Sequence, residues 1–156
     1  MVILLKEKFI YNFVLIKQMV IKFKKASHAD MEGILYVMDR VGYLNFRFLN
    51  LSKIKVRNQI KAEFKDRIFV IGYLDCLSGK NCHNQRRVVG YSTFGPAEKF
   101  LQCPIKIKKS GFAFSLGIGI DPDYQRKGIG RGLANYCEFI AIKNGFKGAY
   151  GDIASN

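Results

Sequence analysis

A short run, Gln125-Arg126-Lys127-Gly128-Ile129-Gly130, has the composition of a site for a phosphate-bearing ligand. It stands where an apolar strand gives way to an apolar helix, and the start of a helix carries unpaired N–H groups and a partial positive charge. Glycine at 128 and 130 lets anionic oxygens approach the backbone without meeting a Cβ, and Arg126, Lys127 and Arg131 add charge around them. Two familiar phosphate motifs do not account for the run. A P-loop needs G-x-x-x-x-G-K-S/T, which the sequence lacks. A dinucleotide fold is suggested by Gly128, Gly130, Gly132 and an acid at Asp152. Its third glycine comes one place early, Asp121 to Lys127 separate strand from glycines, and too little chain follows for the rest of that sheet.

The elements on either side must position this run. The preceding strand, Phe112 to Ile120, sets Phe112, Phe114, Leu116, Ile118 and Ile120 on one face and Ala113, Ser115, Gly117 and Gly119 on the other. The glycines leave bare backbone, which suits an extended ligand, a bulge or a close helix contact. Asp121-Pro122-Asp123-Tyr124 is a turn in which Pro ends the ladder by removing a donor. The helix after it is expected to bury Ile129, Leu133, Ala134, Cys137, Ile140 and Ala141 and to stop at Asn144-Gly145, with a short strand at Ala149 to Ile153.

Ile120-Asp121-Pro122-Asp123-Tyr124-Gln125-Arg126-Lys127-Gly128-Ile129-Gly130 resembles the cofactor segment of the GNAT N-acetyltransferase superfamily. That motif is Gln or Arg, two variable residues, Gly, one variable residue, then Gly or Ala, after a strand ending in an apolar-x-Pro turn. The resemblance extends from about Met19 to Asn156, its specific part being the cofactor segment. It implies an acetyl-coenzyme A dependent transfer to an amine. It assigns the pyrophosphate to backbone N–H groups from Gln125 through Gly130, with Arg131 adding charge, and the pantetheine arm to the backbone of Ile118 and Ile120. The arm would insert as an added strand where the cofactor strand splays from the next one. Asn156 takes the place of a strand-end residue that commonly touches the cofactor. A backbone N–H near Ile120 would hold the thioester oxygen in the tetrahedral intermediate. No general base is assigned. Asp121 and Asp152 stand near the right region, and turn or strand-end roles suit them equally. The family's usual tyrosine acid, its helix and two further strands would follow Asn156. A truncated remnant, completion of the sheet by another chain as in a dimer, and a boundary in the sequence itself all stay open. Tyr136 and Tyr150 are expected to be core or surface residues.

The remaining elements fit the same order. Val20 to Lys25 alternates like a strand with one wet face. Ser27 and Asp30 mark a helix start, and Met31, Ile34, Leu35, Met38 and Val41 follow at helical period. A second helix is expected from Ser52 to Lys65, with Ile60 and Phe64 inward. Ile68 to Leu74 and Val88 to Phe94 read as a long-looped hairpin, and Gly95 to Gly111 as an irregular connection beside the bound ligand. The fold class expected is α/β (α+β), a mixed, mainly antiparallel sheet flanked by helices, with the family's C-terminal helix and last strands missing.

Bulk properties set the outer bounds. With 156 residues, 49% hydrophobic and 24% charged, the chain suits one globular domain, divided as an extension at 1–18 and a domain at 19–156. The 26 Lys and Arg against 12 Asp and Glu give +14, which attracts anionic partners. The cations are dispersed and form no basic helix face, so nucleic-acid binding is the weaker alternative. Cys76, Cys82 and His83 lack paired zinc spacing, so no metal is expected, and with Cys103 and Cys137 they suit a reducing cytoplasm. The apolar start is broken by Lys6, Glu7, Lys8 and Lys17. Its longest uncharged stretch, Phe9 to Ile16, is under half of the roughly 20 residues that span a bilayer. The function expected is N-acetylation of a small-molecule or peptide amine. A coenzyme A-binding module without turnover is the alternative.

Overall fold

The computed structural model describes residues 13–16, 19–42, 51–75, 86–99 and 111–151. Expectations for Cys76, Cys82, His83, Cys103, Asp152, Ile153 and Asn156 fall outside them. The elements are β1 (Phe13–Ile16), β2 (Met19–Lys25), α1 (Met31–Arg40), α2 (Lys53–Glu63), β3 (Ile68–Leu74), β4 (Arg87–Pro96), β5 (Ala113–Ile120), α3 (Ile129–Lys143) and β6 (Ala149–Tyr150). They form one six-stranded sheet in chain order, antiparallel throughout except for the parallel pair β5–β6. Mixed, mainly antiparallel and flanked by helices, this is the expected architecture. The sheet begins earlier than Met19, however: Phe13–Ile16 pairs with β2, within the stretch read as an extension.

Helix faces follow the spacing of their apolar residues. Ile34, Val37 and Met38 of α1 and Val56 and Ile60 of α2 are buried against Phe69, Ile71 and Tyr91 on one face of the sheet. On the other face, Ile129, Leu133, Cys137, Ile140 and Ala141 of α3 pack on Ile21, Phe23, Val70 and Val89. Gly132 lets α3 come that close, since a Cβ there would lie 2.3 Å from Phe23 Cζ. The helix ends where Gly145 takes φ 88° after Asn144, the left-handed stop that Asn-Gly predicts.

The even division of β5 into a large and a small face does not hold. Thr93 pairs with Gly117 and Phe94 with Ser115, so Leu116 is an extra residue and the alternation shifts there. Phe114 and Leu116 form a separate cluster with Ala97, while Ile120 packs on the α3 side. Gly117 takes φ 139° at this bulge. Gly119 lies under Tyr91, whose Cε1 would be 2.3 Å from a Cβ. Backbone conformation therefore accounts for Gly117 and packing for Gly119.

Gly132→Ala should lower unfolding free energy by about 1–3 kcal/mol, the usual effect of overpacking, as measured by urea denaturation. Burial pushes the Cys137 thiol up to about 11, against a small opposing hydrogen bond with Ser92. A raised folded pKa means that the unfolded chain releases its proton first. The associated stability is intact below about pH 9 and is lost towards pH 11. The stability advantage of wild type over Cys137→Ala should therefore shrink by about 2–3 kcal/mol across that window, at about 1.4 kcal/mol per unit.

Candidate functional site

Three elements converge at the C-terminal end of β5. The strand ends at Ile120, Pro122–Tyr124 form one short helical turn, and α3 starts after Gly128. Asp121 organises the junction. Its N–H donates to Val89 O at 2.9 Å, and its Oδ1 accepts from Asp123 N at 3.2 Å. Arg40, at the end of α1, lies 3.5 Å from Oδ1, and Arg87, at the start of β4, lies 3.4 Å from Oδ2. Asp121 is fully buried whereas both guanidiniums are partly exposed, so the carboxylate is paid for by bonds to groups that stay hydrated. The side chain is thus committed to holding the turn, which argues against its use as a base.

In the turn that the sequence reading assigns to an anion, one of the named amides is already engaged. Gln125 N–H already donates to Pro122 O at 3.3 Å, and its side-chain amide donates to Ile120 O at 3.1 Å. Arg126 (φ 58°) and Gly128 (φ 78°) are both left-handed, a conformation costly for Arg and free for Gly. The first helical bond runs from Gly132 N to Gly128 O at 3.0 Å. The amides of Ile129, Gly130 and Arg131 therefore have no carbonyl one turn before them to bond. Nothing lies within 4 Å of where a Gly130 Cβ would stand, whereas the Ile129 side chain is buried. Lys127 Nζ turns back to Asp123 O at 2.6 Å and lies 5.0 Å from the Tyr124 ring centroid. Arg126 and Arg131 are exposed.

Ile118 and Ile120 stand beside this cradle. Because Asp121 N–H reaches β4, strand alternation turns the peptide groups of Ile120 and Ile118 away from β4, to the opposite edge. On that edge β6 pairs only with Ala113 and Phe114, so among the described residues no strand covers β5 beyond them. Gly151 still lies close to β5, a would-be Cβ there standing 2.8 Å from Ser115 Cβ.

The α1 face of β5 bears a cleft of ≈ 360 Å³, lined by Val41, Gly42, Tyr91, Thr93 and Leu116–Gly119. Thr93 was not singled out by the sequence reading. It is 6% exposed, and its Oγ1 has no hydrogen-bond partner among the described residues. Tyr136 stacks on Phe23 with ring centroids 6.3 Å apart, and burial raises its pKa despite an opposing backbone bond with Lys25. Tyr150 lies on Phe114 at 6.2 Å. Both are packing residues in this arrangement. Among the described residues no three His, Cys, Asp or Glu side chains come together as a metal site, and no helix is long and apolar enough to cross a membrane.

The family model described as Acetyltransferase (GNAT) family matches residues 41–155. The chain belongs to the GNAT acetyltransferase family. No curated protein sequence matches it. Among solved structures it is similar to a GNAT family acetyltransferase of Staphylococcus aureus, with TM-score 0.59 and 14% identity, over 86% of this chain and 87% of that one. Another is the aminoglycoside 6'-N-acetyltransferase AAC(6')-IG of Acinetobacter haemolyticus, with TM-score 0.57 and 14% identity, over 86% and 81%. A third is AAC(6')-Iy in complex with a coenzyme A–acetylneamine bisubstrate analogue, with TM-score 0.57 and 11% identity, over 87% and 81%. At such identities the likeness is one of GNAT fold. Arg40, Arg87 and Thr93 gave no local signal, since each acquires its role from residues distant in sequence.

Asp121→Asn should cost this GNAT domain about 1–2 kcal/mol, the scale of charge-assisted bonds to exposed partners. It should also speed amide hydrogen exchange at Arg126–Gly128 relative to the centre of α3. Equal exchange in wild type and variant would show that Asp121 does not hold the turn.

Proposed function

We propose that this chain is an acetyl-coenzyme A dependent N-acetyltransferase acting on a primary amine of a small molecule or peptide. The observation that carries the reading is the meeting of two features: a helix start with open amides, and beside it an edge of β5 that no described residue pairs with beyond Phe114. Amides at Ile129–Arg131, with Arg126 and Arg131 nearby, would take the pyrophosphate. Ile118 and Ile120 would offer ladder partners to the pantetheine amides, with the Ile120 carbonyl shared with Gln125.

When bound, acetyl-coenzyme A supplies the acetyl group as a thioester. The arm must run from the cradle back along β5, at about 3.3 Å per residue. That direction favours an oxyanion donor nearer the bulge at Leu116–Gly117 than at Ile120. The cleft opens on the same level of the sheet, so an amine there would face the thioester from the α1 side. Asp121 is engaged with two arginines, so this chain's described residues leave the base unassigned. A cytoplasmic location, where cysteines stay reduced, belongs to the same reading.

Calorimetry with acetyl-coenzyme A should detect one site per chain, and thiol release should follow on adding an amine. Gly130→Glu is the sharp variant, because its Cβ enters open space and its helical backbone suits any residue. Gly128 is less suitable, its φ of 78° adding strain to any side chain. Gly130→Glu should weaken acetyl-coenzyme A at least tenfold while leaving the melting temperature unchanged. Unaltered affinity would refute the cradle, and binding without thiol release in any amine would select the binding-module alternative.

A further inference from the structure

We infer that the cleft beside the bulge receives an acceptor carrying a single amine on an apolar, flat or unbranched body, and that the Thr93 hydroxyl recognises that amine. The inference rests on the acetyltransferase reading and names the class of acceptor. Thr93 is directly opposite Gly117 in the β4–β5 register, at the level of the bulge. Its hydroxyl is buried, lines the cleft and has no protein partner among the described residues. A buried hydroxyl in that condition favours a ligand that brings a donor to it. An amine N–H can donate to Oγ1 while the nitrogen faces the open side of β5.

The rest of the lining fixes what the amine is attached to. Val41, Leu116 and the Tyr91 ring are apolar surfaces, and Gly42, Gly117 and Gly119 contribute backbone without side chains. Among the described residues no carboxylate lines the cleft. Of the acids close in sequence, Asp39 is exposed and outside the lining, while Asp121 and Asp123 both lie within salt-bridge distance of Arg40. A polycationic acceptor would bring several charges against a lining that, among the described residues, offers no counter-charge, which is costly. On this inference the acceptor differs in class from the aminoglycosides named for two structures of the same fold.

The test is calorimetric titration of the full chain, with and without saturating coenzyme A, using 2-phenylethylamine and an aminoglycoside such as kanamycin. The monoamine should bind at least tenfold more tightly. Equal or tighter aminoglycoside binding, or no binding of either amine, overturns the inference. Coenzyme A binding is read in the same instrument, so its failure counts against the acetyltransferase reading, while the amine preference is judged from the titrations without it. Thr93→Val replaces an unpartnered hydroxyl by a methyl of the same shape and should fold with an unchanged or higher melting temperature. It should lose about tenfold in monoamine affinity with coenzyme A affinity intact, and Thr93→Ser should restore most of the loss. Unchanged monoamine affinity in Thr93→Val would overturn the role given to Thr93.

Discussion

The pairing of β5 with β4 through a single extra residue governs the functional half of this molecule. Leu116 has no partner of its own, so the side chains of β5 change faces there and the strand turns at Gly117. One consequence is the cleft on the α1 side, roofed by Tyr91 over Gly119 and floored by backbone. The other is the direction of the Ile118 and Ile120 peptides, which point away from β4 to an edge that β6 leaves uncovered. A regular strand would have placed five large side chains on one side and closed the cleft.

Asp121 ties this strand to the rest of the fold. It lies 81 residues from Arg40 and 34 from Arg87, and so joins the end of α1, the start of β4 and the turn before α3 in one cluster. The bonds are long, and the arginines remain partly hydrated, so their individual contributions are modest. Their value is geometric. They determine where α3 begins, and therefore where its first amides point.

The parts of the fold legible in sequence were those set by local periodicity and turn chemistry. Met31, Ile34 and Met38 marked the buried face of α1, and Asn144-Gly145 marked the end of α3. QRKGIG announced a helix start because glycine, charge and a preceding Pro turn all act within a few residues. β1 was obscured because the two residues between it and β2 in sequence, Lys17-Gln18, lack the Asn-Gly or Gly-rich signal of tight hairpins. Leu116 could not be identified as the extra residue, since a bulge is defined by register with another strand. Thr93 resembled any strand threonine until the surrounding residues were in place. Gln125 was assigned a phosphate amide, and in the fold that amide is used within the turn.

An uncovered strand edge is also a template on which another chain can add, the usual route to edge-to-edge association. Here the exposed length is short. Gln125 occupies the carbonyl of Ile120 at one end, and Gly151 crowds Ser115 at the other. Between them the backbone twists at Gly117, so a straight, regular strand would meet a mismatched ladder after one or two bonds. A thin, flexible arm with widely spaced amides can follow that path. The features that would fit this edge to the proposed cofactor thereby also disfavour edge-to-edge association.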